Sequence, residues 1–345
     1  MVRVVAPGRV EIETTVSESE IGTLARDPAL KTLMLSRPPE SGTWSRLNEG
    51  LFAHRPDVLL RVYGFYGLGP CDLGFASQMT EVERFSADSL RRAINVDRIA
   101  DMPKLRSLGL GIFDLNSLDV LAGIPTGLTE LGIGGAKTAK LDLGALARFP
   151  SLRKLFIEKQ CKNIETLSGL AELEDLTLRS IGTKNLAYLA PLRRLRDLDI
   201  KLGGITDLSA LDGKESIRSL ALWQVRGLSD LGVVSSLTGL QHLNLQSLPQ
   251  VQQLPSPRAL TKLRRVYLEN MKGLETLNAL TEAPALEEVI HVSSRLSPED
   301  HTVLFENPAI KRISAGFGST RKNQIFEAML RERDIGTAEG RFVFS

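Results

Sequence analysis

The stretch LRSLGL, which begins at Leu105, decides the fold because its pattern recurs along most of the chain. The pattern is L-x-x-L-x-L, with isoleucine or valine allowed at the apolar positions. The copies that follow it begin at Leu128, Leu152, Leu173, Leu195, Ile217, Leu240 and Leu263. Successive starts lie 23, 24, 21, 22, 22, 23 and 23 residues apart. A nearly fixed period of this length indicates a stack of structural repeats.

Weaker copies flank this central run, and they begin at Leu30, Val82, Leu286 and Ile310. A further strand is expected within VLLRVYGFYG (58–67), where the register is ambiguous. The repeats therefore extend over residues 30–316, which is about 11–12 units with an insertion near 36–57.

Each repeat combines a strand with a tighter returning segment. In L-x-L the chain is extended, and alternation places both leucines on one face. Apolar spacing of three, as in Ile164, Leu167 and Leu170, suits a 3₁₀ turn or a short helix. Stacking buries each leucine between neighbouring units, which stabilises the array by roughly 1.5–3 kcal/mol per side chain. The predicted fold class is an α/β solenoid, a horseshoe with a parallel β-sheet on its concave face and short helices or 3₁₀ turns on its convex face.

These motifs resemble the bacterial leucine-rich repeats of the short SDS22-like class found in internalins. The resemblance implies a fold and says little about function. That class carries an asparagine three residues after the second strand leucine. The corresponding positions here are Phe113, Ala136, Gln160, Ile181, Gly203, Val225, Leu248 and Met271. We therefore expect the turn after each strand to be closed by apolar packing, with less regular backbone bonding.

Both ends of an open stack need caps, because the end repeats would otherwise expose their leucines. Residues 1–29 are predicted to form the N-terminal cap, with a strand in 9–16 and a helix in 17–28 that opens with a Ser17–Glu20 capping box. Residues 297–308 predict another helix. Residues 317–345 are predicted to form the C-terminal cap, with a helix over 321–334 and a last strand in RFVFS; a partner-binding helix is the alternative for this segment.

Composition excludes several functional classes. The 345 residues carry 43 basic and 41 acidic side chains, and this balance argues against a nucleic-acid binder. Two cysteines exclude a disulfide framework. The chain shows no signal-peptide pattern and no run of 18 apolar residues, so we expect no membrane association. The expectation is a cytoplasmic monomer, with export through a route that uses no cleaved signal as the alternative.

Each residue that could take part in catalysis or metal binding lacks the partners that such a site requires. No catalytic, cofactor or metal site is therefore expected, and the chain is predicted not to be an enzyme. The four histidines do not share metal-ligand spacing. His291 falls at an inward strand position, which indicates either a register shift or a core imidazole. Cys161 has no base that the sequence can place beside it, and Asp197 with Asp199 forms a pair of acids without a pocket.

The strand positions that alternate with the inward leucines are predicted to face a protein partner. Aromatic and arginine side chains among mixed charges are typical of interfaces. The predicted partner-binding residues on the concave face are Phe156, Glu158, Arg179, Asp197, Asp199, Lys201, Trp223, His242, Asn244, Arg265, Tyr267 and Glu269. The alternative is a solvated strand surface whose aromatics serve β propensity. The glycine pairs 109/111 and 132/134 indicate either tight curvature or room for the main chain of a partner.

The predicted function is that of a non-enzymatic module that binds a protein of unknown identity. One alternative is a regulatory subunit of a phosphatase or another enzyme, as the SDS22-like resemblance implies. Another is the substrate-recognition part of an effector or ligase, although the repeats leave no block of sequence large enough for a catalytic domain.

Overall fold

A computed structural model describes residues 2–65, 67, 69–138 and 140–338. The chain divides into two compact units, Met1–Leu173 (unit 1) and Glu174–Ser345 (unit 2). Each unit is built on a β-sheet whose strands follow one another in chain order.

In unit 1 the sheet begins with an antiparallel hairpin and continues with parallel strands. The strands are β1 (Val2–Ala6), β2 (Arg9–Ile12), β3 (Thr32–Leu35), β4 (Leu59–Tyr63), β5 (Cys71–Asp72), β6 (Arg84–Leu90), β7 (Ala93–Ile94), β8 (Ser107–Ile112), β9 (Glu130–Ile133) and β10 (Lys154–Glu158). The short strands β5 and β7 pair with each other in a separate two-stranded sheet.

In unit 2 all strands of the sheet are parallel and pair without register shifts. They are β11 (Asp175–Arg179), β12 (Asp197–Lys201), β13 (Ser219–Trp223), β14 (His242–Gln246), β15 (Arg265–Glu269), β16 (Glu288–Val292) and β17 (Arg312–Ala315).

The repeat pattern correctly predicts β3, β4, β6 and the strands from β8 to β17, and the α/β solenoid is confirmed. Each strand of the eight strong copies starts two residues after the first apolar residue of its motif. The weaker copies that begin at Leu30, Val82, Leu286 and Ile310 form β3, β6, β16 and β17, and β4 lies within 58–67. Inward leucines are fully buried, as Leu176 and Leu178 of β11 show.

Short helical segments return the chain between strands. The α-helices are α1 (Glu18–Arg26), α2 (Thr43–Leu47) and α3 (Thr320–Arg331), and α2 runs into a π-helical turn at Asn48–Phe52. The 3₁₀ segments are Gly74–Gln78, Val96–Asp101, Asp119–Ala122, Leu143–Arg148, Ile164–Gly169, Ala187–Leu189, Ser209–Leu211, Gly232–Ser236, Asn278–Glu282 and Glu299–Glu306. None of the helices in the described ranges combines the length and the apolarity needed to span a bilayer.

The N-terminal helix confirms its sequence signal, since the Ser17 side chain accepts from Glu20 N while the Glu20 carboxylate accepts from Ser17 N. In 36–57, the side chains of Leu47, Leu51 and Phe52 are buried.

At the C-terminus, α3 covers most of the helix predicted over 321–334 and buries Phe326 and Leu330. The segment 297–308 forms a 3₁₀ helix rather than an α-helix. The strand predicted in RFVFS lies outside the described residues. The division into two caps and a solenoid stays a prediction.

The turn after most strands is set by one left-handed residue, for example Ser180 with φ 55° and Leu202 with φ 53°. The next residue then points inward. Ala136, Ile181, Val225, Leu248 and Met271 are buried, which confirms the predicted apolar packing at these positions. Gln160 is also buried, but its side-chain amide donates to Thr138 O and accepts from Leu141 N, so polar bonds close that turn.

The expectation of irregular backbone bonding in these turns is wrong in unit 2. There the amides of five left-handed residues donate to the carbonyl of the last residue of the following strand. The pairs are Ser180–Lys201, Leu202–Trp223, Gln224–Gln246, Ser247–Glu269 and Asn270–Val292, at 2.7–3.0 Å. Backbone groups therefore replace the missing asparagine ladder.

Candidate functional site

Unit 1 carries a groove on the outward face, which we define as the side of the sheet opposite the buried leucines. Its floor is formed where Gly109 of β8 pairs with Gly132 of β9, between Ser86 of β6 and Phe156 of β10. The groove has a volume of about 730 Å³. It is lined by Asp88, Ser89, Leu90, Arg91, Gly109, Leu110, Gly111, Phe113, Gly132, Gly134, Gly135, Phe156 and Glu158.

Side chains from neighbouring strands lean over three of the four glycines that the sequence singled out. A Cβ atom on Gly109 would lie 2.6 Å from Ser86 Oγ, and one on Gly111 would lie 3.0 Å from Asp88 Cα. A Cβ on Gly134 would lie 2.8 Å from the ring of Phe156. At Gly132 the nearest atom would be Gly109 Cα, at 3.9 Å. Gly132 therefore opens directly into the groove.

Phe113 stands at one end of the groove with 45% of its surface exposed. At this position the predicted inward packing is wrong. Its predecessor Ile112 has no left-handed conformation, and β8 continues through Ile112, which pairs with Leu90. The chain consequently does not turn inward here, and the large apolar ring is left on the surface.

The groove side formed by β6 carries Asp88, whose carboxylate is held by a dense set of donors. Arg61 Nε donates to it at 2.8 Å, and the hydroxyls of Ser86 and Ser89 donate at 2.8 and 3.1 Å. Burial alone would raise the pKa of the Asp88 carboxyl, but the bonds from Arg61 and Ser86 outweigh it and hold that pKa below its usual value. Asp88 is therefore a fixed negative group.

The opposite side, formed by β10, places an aromatic ring beside a carboxylate. Glu158 Oε2 accepts from Gly135 N at 2.9 Å, and it would lie 3.3 Å from a Cβ on Gly134. Since the Phe156 ring also leans over Gly134, ring and carboxylate project together into the groove. Arg91 lies at the same end of the groove as Phe113, because Phe113 N and Asp114 N donate to the carbonyls of Leu90 and Arg91. Its side chain is exposed.

The twelve predicted partner-binding residues fall in both units. Phe156 and Glu158 lie in the groove of unit 1, and the other ten lie on the strands of unit 2. Strand pairing there brings Lys201 beside Trp223, His242 beside Arg265, and Asn244 beside Tyr267. Their role in binding a partner stays a prediction.

Several of these unit 2 side chains bond to one another within the sheet face. Tyr267 donates to Glu269 at 2.8 Å, Gln246 donates to Asn244 at 2.9 Å, and Lys201 pairs with Asp199 at 2.5 Å. Burial, then the bond to Glu269, raises the pKa of Tyr267 to about 12.

Arg265 departs from the predicted solvent-facing position. Its side chain is buried and pairs with Glu288 at 3.3 Å. Burial, and then the charge of Arg265, lowers the pKa of His242 to about 4. The outward face of unit 2 is therefore covered by side chains that contact each other.

His291 proves to be a core imidazole rather than a sign of a register shift, since it pairs with Leu268 in the regular ladder. Its Nδ1 lies 3.1 Å from Nε2 of His301, whose own Nδ1 lies 2.8 Å from the Ser297 carbonyl oxygen. Burial, and then His301, lowers the pKa of His291 to about 3. No group of three or more potential metal ligands occurs in the described part of the chain.

The two thiols also stand apart from any site. Burial raises the pKa of the Cys71 thiol to about 12. Cys161 is half-buried, and its Sγ lies 3.7 Å from the Lys159 carbonyl oxygen.

Sequence reasoning missed Asp88, Arg91 and Phe113 as members of a common site. The glycine pairs were the signal that could have found it, since strand registry places 109 beside 132 and 111 beside 134. Of the two interpretations of the glycine pairs, curvature or room for a partner, the groove above Gly132 is consistent with the second.

The chain matches no family model and no curated protein in sequence. Among solved structures it is similar to an internalin from Listeria monocytogenes, with 19% identity, a TM-score of 0.62, and coverage of 91% of this chain and 88% of that one. It is also similar to a leucine-rich-repeat protein of Leptospira interrogans, with 16% identity, a TM-score of 0.56, and coverage of 93% and 92%.

These likenesses, together with the sheet, identify the fold as a leucine-rich repeat of the kind found in bacterial proteins. The more specific SDS22-like subclass stays a prediction.

Proposed function

We propose that this chain is a non-enzymatic module that binds a protein partner on the outward face of its sheet. The observation that carries the proposal is the groove of unit 1, a recess with a backbone floor, the Phe156 ring on one side and the exposed Phe113 ring at one end. Concave surfaces with aromatic side chains and a few fixed polar groups are where proteins bind other molecules.

The same proposal extends to unit 2 through Trp223 and Tyr267. Both side chains are half-buried on the outward face and present part of an aromatic surface beside charged neighbours. Aromatic anchors surrounded by polar groups are typical of binding hot spots. The predicted contact residues of both units, other than the buried Arg265, belong to this proposal.

A non-enzymatic role is favoured by how the reactive side chains are engaged. Lys201 neutralises Asp199, one of the two acids that share a face of β12. The His291 imidazole is buried against His301 and has no access to a substrate. A general acid or base has to reach a reacting atom from within a pocket, and neither group does.

Site-specific photo-cross-linking tests the proposal. A benzophenone amino acid would replace Phe156 or Trp223 on the outward face, and Glu165 or Ser209 on the returning 3₁₀ segments as matched controls. We expect protein adducts in the native host from the outward positions and few from the control positions. Adducts from the control positions alone, or from none of the four, would reject binding at the outward face.

A further inference from the structure

We propose that the groove of unit 1 accepts an extended segment of the partner in which a lysine or arginine stands next to a bulky apolar residue. This inference rests on the proposed function and narrows it to one recess and one chemistry. Three properties of the lining carry it: an exposed apolar ring, a ring and carboxylate that project together, and an uneven placement of charge.

The apolar requirement follows from Phe113. Six positions that correspond to it in other repeats hold buried side chains, whereas Phe113 is 45% exposed at the end of the groove. The adjoining floor exposes the backbone at Gly132, while the Ser86 hydroxyl leans over Gly109. A bulky apolar side chain placed here would remove the ring and this floor from water, which is the main favourable contribution to association.

The cationic requirement follows from Phe156 and Glu158. Both lean over Gly134, so an aromatic ring and a carboxylate lie next to each other on one side of the groove. A long cationic side chain can lie along an aromatic face and end at a carboxylate, which combines a cation–π contact with a charge-assisted hydrogen bond. Glutamate or aspartate in the ligand would face like charge at this place.

The other charged groups give the segment a direction. Asp88 on the opposite side is paired with Arg61 through two hydrogen bonds, so it adds little net charge to the groove. Arg91 lies beside Phe113 and repels a cation from that end. The cationic side chain is therefore directed towards Glu158, and the apolar side chain towards Phe113.

The width of the groove suits a single extended chain. From β6 to β10 the sheet takes three steps, through β8 and β9. With strands about 4.8 Å apart, the bordering backbones are separated by about 14 Å. An extended peptide whose side chains point towards the two bordering strands fits this gap, while an α-helix with side chains, about 10–12 Å across, would compete with the Phe156 ring for the space.

Fluorescence anisotropy with pools of labelled nine-residue synthetic peptides tests this inference on the full chain. All positions are randomised except a fixed central pair, which is Arg-Leu, Glu-Leu or Arg-Gly. We expect the Arg-Leu pool to bind at least about tenfold more tightly than either other pool, because each lacks one of the two contacts. Equal binding of the three pools, preference for Glu-Leu, or no binding at all would overturn the inference.

Two variants locate the binding. Gly132→Leu fills the floor at the open position, and it should reduce binding of the Arg-Leu pool at least about tenfold. Ala221→Leu is the matched control, because Ala221 is the central outward residue of β13 in unit 2. Retained binding by Gly132→Leu, or equal loss in both variants, would contradict the groove as the site.

Two further variants assign the two halves of the ligand and do not depend on how Gly132→Leu folds. Phe113→Ala, at an exposed position, should remove the preference for Arg-Leu over Arg-Gly. Glu158→Gln should remove the preference for arginine over its neutral analogue citrulline. If adducts form at Phe156 or Trp223 while these preferences persist, the narrower inference fails and the proposed function stands.

Discussion

The outward faces of the two units differ although their inward faces follow the same pattern. In unit 1, the central positions of β8 and β9 are Gly109 and Gly132, and a groove lies above them. In unit 2, the central positions of β12, β14 and β15 are Asp199, Asn244 and Tyr267, each of which bonds to a side chain of its own strand. One face is open and the other is covered.

This difference shows that alternate residues of one strand have separate roles, one set in the core and the other on the surface. The inward leucines are buried in both units and define the stack. Since successive strand residues point to opposite faces, the outward residues can change without disturbing that stack. A binding surface can therefore be opened by glycine or covered by polar side chains at little cost to the fold.

The largest loss of stability is expected when a charged residue replaces an inward leucine. Leu243→Asp places a charge at an inward position that is 4% exposed, with no partner to receive it. It should lower the free energy of unfolding by about 4 kcal/mol or more, since a buried unpaired charge adds to the lost apolar burial.

Asn244→Asp, one residue further on, is the matched control on the outward face. Urea unfolding followed by circular dichroism compares the two variants with the parent. A parent-like midpoint for Leu243→Asp would show that the alternation is assigned to the wrong faces.

A loss of stability of intermediate size is expected in unit 2, but not in unit 1, when the pH is lowered. The pKa of His291 is lowered to about 3, and that of His301 is lowered by burial first. The unfolded chain therefore binds more protons below pH 6.5, so stability is complete above that pH and falls as the pH decreases towards the folded value. At pH 5 the loss from His291 reaches about 2 kcal/mol, from about 1.4 kcal/mol per pH unit, and the lowered pKa of His301 acts in the same direction.

Hydrogen–deuterium exchange with mass spectrometry, corrected for intrinsic exchange rates, measures this effect. Peptides from 286–335 should lose protection between pH 7 and pH 5, and peptides from 100–160 of unit 1 are the internal control. Equal changes in the two regions would remove the histidine pair as the cause.

The smallest changes in stability are expected from alanine substitutions at the glycines of the groove floor. Gly111→Ala places a methyl group 2.9 Å from Asp88 Cβ, and it should destabilise by about 1–3 kcal/mol through overpacking. Gly132→Ala meets open space and should be neutral, or stabilise by up to about 1 kcal/mol through the unfolded state. Thermal unfolding ranks the pair, and the reverse order would show that the floor is packed differently.

Most of the fold follows from the sequence because the leucine period reports burial directly. The strands from Leu105 to Leu263 begin where the motif places them, and the Ser17–Glu20 capping box opens α1. The antiparallel β1 was not predicted. It carries no repeat motif, and its Val4 is exposed in the structure, so periodicity had no buried face to detect.

The candidate site is less predictable from the sequence because the groove forms where glycines leave side chains absent. Two glycine pairs in the sequence indicate either curvature or space, and only strand registry shows that Phe156 and Asp88 border that space. Phe113 occupies a position that is turned inward elsewhere, and the absence of a left-handed residue before it decides its exposure. Arg265 shows the reverse case, a charged side chain that its neighbour Glu288 holds in a buried place.

The left-handed residues after the strands have a consequence for the engineering and divergence of such chains. The positions hold lysine, serine, leucine, glutamine and asparagine in different repeats, so no single side chain is required there. Leucine is poorly suited to φ 53° at Leu202, whereas asparagine tolerates that conformation. The stacked repeats therefore enforce a left-handed turn whatever residue occupies the position. Substitution to asparagine at these sites should raise the stability of the fold, and the added stability lets the chain tolerate other destabilising mutations.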